Sequence, residues 1–246
     1  MAEKQTHETQ KSLFEATVPI RFTIQELNVP LCFNANRNMS LGYFVFNFLG
    51  NFIEEENLDD MWFCSEGKPI KWELPLGVIY DIFIPQDNIF TPLTIEIRFE
   101  DFPEDRVQKC DSLQVVKQIF IDSFKESCSL THDTNFAQAN PDIQGKIWRS
   151  IDKKDSKEFI SSFELYTKDI NSWKMWPIKL IDKELNITDI SVNVEEGQNF
   201  RNLFELKGVK ADAVKIQGIN IPLETPLKNI VETMLYPDGF LYATII

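Results

Sequence analysis

The chain has 246 residues, 25 Lys+Arg against 38 Asp+Glu, a net charge of −13 and two histidines. That length allows one to three domains, and 43% hydrophobic content with 20 Phe is enough to build real cores. The acidity argues against autonomous nucleic-acid binding, which needs positive charge against phosphates; two His and four Cys leave little stock for zinc sites or His-based catalysis.

The N-terminus, Met1 to Lys11, is polar and lacks the apolar run of a secretory signal. No stretch approaches 18 apolar residues, so no transmembrane helix is expected. Val18 to Ile24 alternates apolar and polar residues and predicts a strand, with Leu31 to Asn34 as its hairpin partner. From Met39 to Glu56, Leu41, Phe44, Val45, Phe48, Leu49 and Phe52 recur at helical spacing behind Ser40 as N-cap. Glu54–Glu56 with Asp59 and Asp60 reads as a solvated helix end. Met61 to Cys64 and Pro69 to Trp72 predict two short strands around Glu66-Gly67-Lys68. Pro75 to Phe83 predicts a helix with Pro at its start, and Leu93 to Phe102 a strand. Strand, strand, helix, strand, strand, short helix, strand is the order of a ubiquitin-like β-grasp module.

The middle of the chain is helical. Asp111 to Thr131 carries Val116, Ile119, Phe120, Phe124 and Cys128 at helical spacing, with Asp111 or Ser112 as cap. Pro141 opens a second helix to about Ile151, and Asp155 to Asp169 predicts a third. Strands then return. Trp173 to Ile181 and Ile187 to Val194 read as a hairpin, Asn199 to Leu206 as a short helix and Ala213 to Leu223 as strand. Pro226 to Leu235 predicts a helix and Gly239 to Ile246 a final strand.

Lys71 to Phe83 aligns without a gap on Pro222 to Met234, both through Glu-x-Pro-Leu. The fold expected is therefore α+β, with two ubiquitin-like β-grasp modules flanking a helix-rich domain. The division is 1–17 as an N-terminal segment, where only the family resemblance named below implies a short helix, 18–102 as the first module, 103–172 as the helix-rich domain and 173–246 as the second module. Neither module runs into a Gly-Gly tail, so neither is expected to act as a donor in conjugation. The charge is uneven: 18–102 holds 5 basic against 13 acidic residues, whereas 103–172 holds 10 against 12. A basic face on the helical domain is thus free to meet a membrane or an acidic protein.

The four cysteines, Cys32, Cys64, Cys110 and Cys128, form no CxxC pair or common zinc pattern. They read as mostly buried, reduced thiols of a cytosolic protein. Cys128 and His132 stand four apart near a helix end; the spacing suits a Cys–His dyad or two metal ligands, and equally a core thiol beside a surface His. Trp62, Trp72, Trp173 and Trp176 lie in or beside strands, as core anchors or as the walls of a cleft that takes a partner helix. No phosphate loop, serine-hydrolase elbow or zinc-protease motif is present.

Several long motifs resemble the autophagy-protein-five family. They are Trp62-Phe63-Cys64-Ser65-Glu66-Gly67-Lys68-Pro69 running on to Asp81, Phe99 to Glu104 leading to Cys110, Ile216 to Leu227, and Tyr236-Pro237-Asp238-Gly239-Phe240-Leu241. The resemblance is co-linear from about Leu13 to Ile246 and weakest over Asp182 to Val214 and near Glu26. It implies a non-enzymatic scaffold that needs no cofactor or metal. It also implies one lysine that receives an isopeptide bond from the ubiquitin-like autophagy protein twelve. Reading on without a gap from Cys110 places that acceptor at Lys125. From the residues alone, Lys125 sits about 100° off the row of Val116, Phe120 and Phe124 and reads as an ordinary solvated helix lysine. The resemblance further implies a partner in the N-terminal helix of autophagy protein sixteen, held by both modules and the helical domain. It implies an E3-like complex that promotes lipidation of the autophagy-protein-eight family for autophagosome formation. It places the chain in the cytoplasm, recruited peripherally to the preautophagosomal membrane. Two other readings stand beside it: a non-covalent ubiquitin-like adaptor, and a thiol enzyme built on Cys128 and His132.

Overall fold

The computed structural model describes residues 2–24, 29–49, 60–88, 90–132, 136, 140–168 and 170–245. Helix α1 (Ala2–Glu15) leads into strand β1 (Thr17–Ile24), which pairs antiparallel with β2 (Leu31–Asn36). Helix α2 (Leu41–Phe44) starts where Ser40 Oγ accepts from the Tyr43 amide, as its cap position requires. It widens into a π-helical turn over Val45–Leu49. The rest of the helix expected to Glu56, including Glu54–Glu56 and Asp59, lies outside the described residues, as does the stretch around Glu26.

Strands β3 (Trp62–Ser65) and β4 (Lys68–Ile70), helix α3 (Leu76–Phe83) and strand β5 (Leu93–Arg98) complete the first sheet, in the order β2-β1-β5-β3-β4. The central β1–β5 pair is parallel. β5 is shorter than expected. Its last partner is Trp62 opposite Arg98, the Glu100 carbonyl is taken by the Trp62 indole at 2.7 Å, and Asp101 turns the chain at φ 52°.

Three helices follow: α4 (Leu113–Thr131), α5 (Ile143–Lys153) and α6 (Ser156–Thr167). The expected strand over Trp173–Ile181 is two strands, β6 (Met175–Trp176) and β7 (Ile178–Ile181). Pro177 between them has no N–H for a ladder, so the chain changes partners there. β6 pairs with β9 (Val192–Asn193), and β7 pairs with β8 (Ile187–Asp189). Helix α7 (Phe200–Lys207), hairpin β10 (Val214–Ile216)–β11 (Ile219–Ile221), helix α8 (Leu227–Met234) and strand β12 (Leu241–Ile245) close the fold. The stretch Ala213–Leu223 is therefore a hairpin and not one strand.

The second sheet runs β11-β10-β12-β7-β8, with β12 and β7 parallel. Renumbered within its module, this is the order of the first sheet, so both modules are β-grasp folds. The repeat extends to single hydrogen bonds. The Leu76 amide donates to Met39 O at 2.8 Å and the Leu227 amide to Gln198 O at 2.8 Å. The Gly42 amide donates to Trp72 O, and its counterpart Arg201 donates to Leu223 O. The hairpin turns match as well: Glu66-Gly67 and Gln217-Gly218 have φ of 50°, 75° and 52°, 81°. Two residues at positive φ suit a two-residue hairpin, and Gly supplies one of them without a Cβ clash.

Candidate functional site

Helix α4 starts at Ser112, whose Oγ accepts from the Val115 amide. Its buried residues are Val116, Phe124, Ser127, Cys128 and Thr131, and contacts along this side tie the helix to the second module. Ser127 Oγ donates to Gly239 O at 2.8 Å and meets Tyr166 Oη at 2.5 Å. Ser123 Oγ and Tyr242 Oη both donate to Asp238 Oδ2, at 2.8 and 2.7 Å. Glu126 pairs with Lys179 of β7 at 3.2 Å, and that ammonium sits 3.7 Å above the Phe240 ring. These contacts fix both the rotation and the height of α4.

Lys125 therefore points outward. Its side chain keeps 52% of its accessible surface, with Asp122 Oδ1 at 3.9 Å as its ionic neighbour. Gln118 Nε2 donates to that same Oδ1 at 2.9 Å. Lys125 is exposed, and Phe124 beside it is buried.

Cys128 and His132 do not form a reactive dyad. Both ring nitrogens of His132 are engaged, Nδ1 with Thr131 Oγ1 at 2.7 Å and Nε2 with Tyr166 O at 2.9 Å. The ring also stacks on Phe136 at 3.9 Å. Burial pushes the Cys128 thiol up to about 12, so at neutral pH it is no thiolate. Cys64 and Cys110 are buried too, and burial is the first cause that pushes them up to about 11 and about 12. Cys32 is exposed. This arrangement does not support the thiol-enzyme reading.

Trp62, Trp72, Trp173 and Trp176 are all buried. Trp72 also lines a groove of about 690 Å³, with Tyr43, Phe120, Trp148, Lys179 and Tyr236. That groove is walled by both modules and the helical domain. Asp122, Ser123 and Glu126 on its wall bring it to the turn of α4 that carries Lys125. A second groove, of about 520 Å³, runs between the modules and is lined by Arg37, Tyr80, Asp81, Phe90, Lys215 and Gly218. Phe90 is 89% exposed at its side, and Ile219 follows Gly218 at 44%. Trp148, Phe90 and Lys179 had no signal in the sequence, because each matters through neighbours the tertiary fold brings to it: Tyr43 and Phe120 beside Trp148, Lys215 and Gly218 beside Phe90, Glu126 and Phe240 beside Lys179.

The buried floor of this second groove is a charged knot. Arg37 Nη2 and Asp81 Oδ2 meet at 2.5 Å, with side chains 8% and 4% exposed. Asp81 Oδ2 also accepts from the Gly218 amide at 2.8 Å, and Lys215 Nζ donates to Asp81 O and Ile84 O. Asp81 thus holds the turn of the second module through its carboxylate and a strand of it, through Lys215, by its backbone carbonyl.

Known proteins resemble this arrangement. The family model for the UblA domain of autophagy protein ATG5 matches residues 13–99, and that for its UblB domain matches 178–245. The autophagy protein 5 of Drosophila melanogaster is 25% identical over 212 residues, which span 80% of this chain and 78% of that protein. That of Oryza sativa subsp. indica is 29% identical over 98 residues, 39% of this chain and 25% of the rice protein. The crystal structure of Kluyveromyces marxianus Atg5 superposes with a TM-score of 0.84 over 97% of this chain and 99% of that one, at 16% identity. At that identity the likeness concerns the fold.

Proposed function

Because the chain belongs to the autophagy protein 5 family and so acts in autophagy, we propose that Lys125 is the acceptor of an isopeptide bond from the ubiquitin-like autophagy protein twelve. The observation that carries this reading is the outward placement of Lys125 on a helix whose rotation is locked by three contacts to the second module. An acceptor amine has to be reachable, and its position has to be the same in every molecule. The division of labour follows the chain: 1–17 as a leading segment, 18–102 and 173–246 as the modules, and 103–172 as the domain that presents the lysine.

The amine attacks the thioester carbonyl of the loaded modifier as a nucleophile, and the activating and conjugating chemistry belongs to separate enzymes. The chain is a non-catalytic subunit whose contribution is geometric. The N-terminal helix of autophagy protein sixteen is its second partner. The groove between the modules, flanked by exposed Phe90 and Ile219, supports docking of an amphipathic helix by its apolar face. Together the three form an E3-like complex that promotes lipidation of the autophagy-protein-eight family. Among the described residues no helix is long and apolar enough to cross a membrane. Membrane contact in this reading is peripheral and made through the complex, from the cytoplasm to the preautophagosomal membrane.

The test is co-expression with the modifier and its two enzymes. Wild type is expected to gain the modifier's mass covalently, and Lys125→Arg to remain bare while still folded. Covalent adduct on Lys125→Arg overturns the assignment. A tight complex with no adduct on wild type means a non-covalent adaptor.

A further inference from the structure

We propose that Asp122 accepts a proton from Lys125 during isopeptide formation and that Gln118 aims it; the inference rests on the acceptor reading above. Gln118, Asp122 and Lys125 stand at i, i+4 and i+7, which places them in one row on the outer face of α4. Gln118 Nε2 donates to Asp122 Oδ1 at 2.9 Å, and Lys125 Nζ lies 3.9 Å from that same oxygen. A nucleophile, a base beside it and a third group that orients the base is the general arrangement for activating a nucleophile. The 3.9 Å gap is a contact between charges and not a hydrogen bond. Such contacts are often long before the reaction partner arrives and tighten in the complex.

Two neighbouring carboxylates are committed elsewhere. Glu126 is held by Lys179, and Asp238 takes the hydroxyls of Ser123 and Tyr242. Glu73 of the first module lines the adjoining groove. Asp122 is thus the carboxylate that meets the lysine. The pair is exposed on both sides, 52% and 61%, so it contributes little to stability. A role in the reaction accounts better for the oriented row.

The step balances as follows. The ammonium of Lys125 first gives one proton to water. Its Nζ then attacks the thioester carbonyl carbon; the N–C bond forms, the C–S bond breaks, and the conjugating enzyme's cysteine leaves as thiolate. The second proton on nitrogen becomes acidic as the N–C bond forms. It passes to the Asp122 carboxylate and from there to solvent, which leaves a neutral amide.

The test uses the full chain and a conjugating enzyme loaded with the modifier as its thioester, in single turnover. Asp122→Asn is expected to slow discharge at least about tenfold near neutral pH, at or below the low end of general-base effects because the site is open to water. The deficit is expected to shrink in strongly alkaline solution, where hydroxide takes the second proton in place of Asp122. Asp122→Glu is expected to restore most of the rate, and Gln118→Ala to lower it several-fold. An unchanged rate in Asp122→Asn overturns the inference and leaves the acceptor reading intact, provided Lys125→Arg stays bare. An equal loss at every pH, not rescued by Asp122→Glu, also overturns it, since that marks a docking effect. Adduct on Lys125→Arg overturns both.

Discussion

Arg37 and Asp81 form a buried ion pair at 2.5 Å within the first module, and the same carboxylate holds the Gly218 amide of the second. The pair is therefore also the hinge pin between modules. Removing one partner strands a buried charge. Asp81→Ala is expected to lower unfolding free energy by about 3–5 kcal/mol, measured by urea denaturation. Replacing both, as Arg37→Met with Asp81→Leu, is expected to cost less than the sum of the singles. Additive losses would mean that the two side chains act independently.

The repeat supplies an internal control. Gly67 and Gly218 occupy the same turn position at positive φ, but a Cβ on Gly67 meets nothing within 4 Å. A Cβ on Gly218 comes within 3.0 Å of Arg37 Nη1. Gly67→Ala should cost about 1–2 kcal/mol, the left-handed penalty alone. Gly218→Ala should cost more and should weaken the contact between modules. Equal losses in thermal unfolding would contradict the hinge-pin account.

Both elements show what was legible in the sequence. The Glu-x-Pro-Leu repeat and the alternating strands were enough to place two β-grasp modules, because strand and helix periods are local. The turn at Glu66-Gly67 was legible too, whereas the matching turn at Gln217-Gly218 was hidden inside Ala213–Leu223, which reads as one strand. Arg37 with Asp81 and Lys215 was not legible: their meeting depends on how two separately folded modules dock. The split at Pro177 was written in the sequence, but the alternating residues on either side concealed it. Lys125 was placed by resemblance. That it is held outward through Ser123, Ser127 and Glu126 is a tertiary fact with no periodic trace.

The thiols give a pH prediction. Burial raises Cys110 and Cys128 to about 12 and is the first cause that raises Cys64 to about 11. The unfolded chain ionises near the ordinary thiol value. Stability from these groups is thus complete below about pH 8.5 and is lost as pH rises toward the folded values. A thiol-reactive probe at neutral pH should label Cys32 rapidly and the other three only in denaturant. Rapid labelling of Cys128 in the native protein would revive the thiol-enzyme reading.

Phe90 separates docking from folding. It is 89% exposed, so Phe90→Asp should change thermal stability by less than about 0.5 kcal/mol. The same change should weaken binding of the partner's helix at least about tenfold, as loss of an aromatic anchor does. Calorimetric titration with the helix peptide measures this. Undiminished affinity would move the partner to another surface, with the groove of about 690 Å³ walled by all three parts as the next candidate.

The central claim is that one lysine on α4 carries the modifier. Its most direct test is mass spectrometry of a proteolytic digest of the chain isolated from its own cells. The account predicts a branched peptide in which the C-terminal residues of the modifier are joined to the Nζ of Lys125. Conjugate in which the Lys125 peptide is unmodified and the branch lies on another lysine would contradict it.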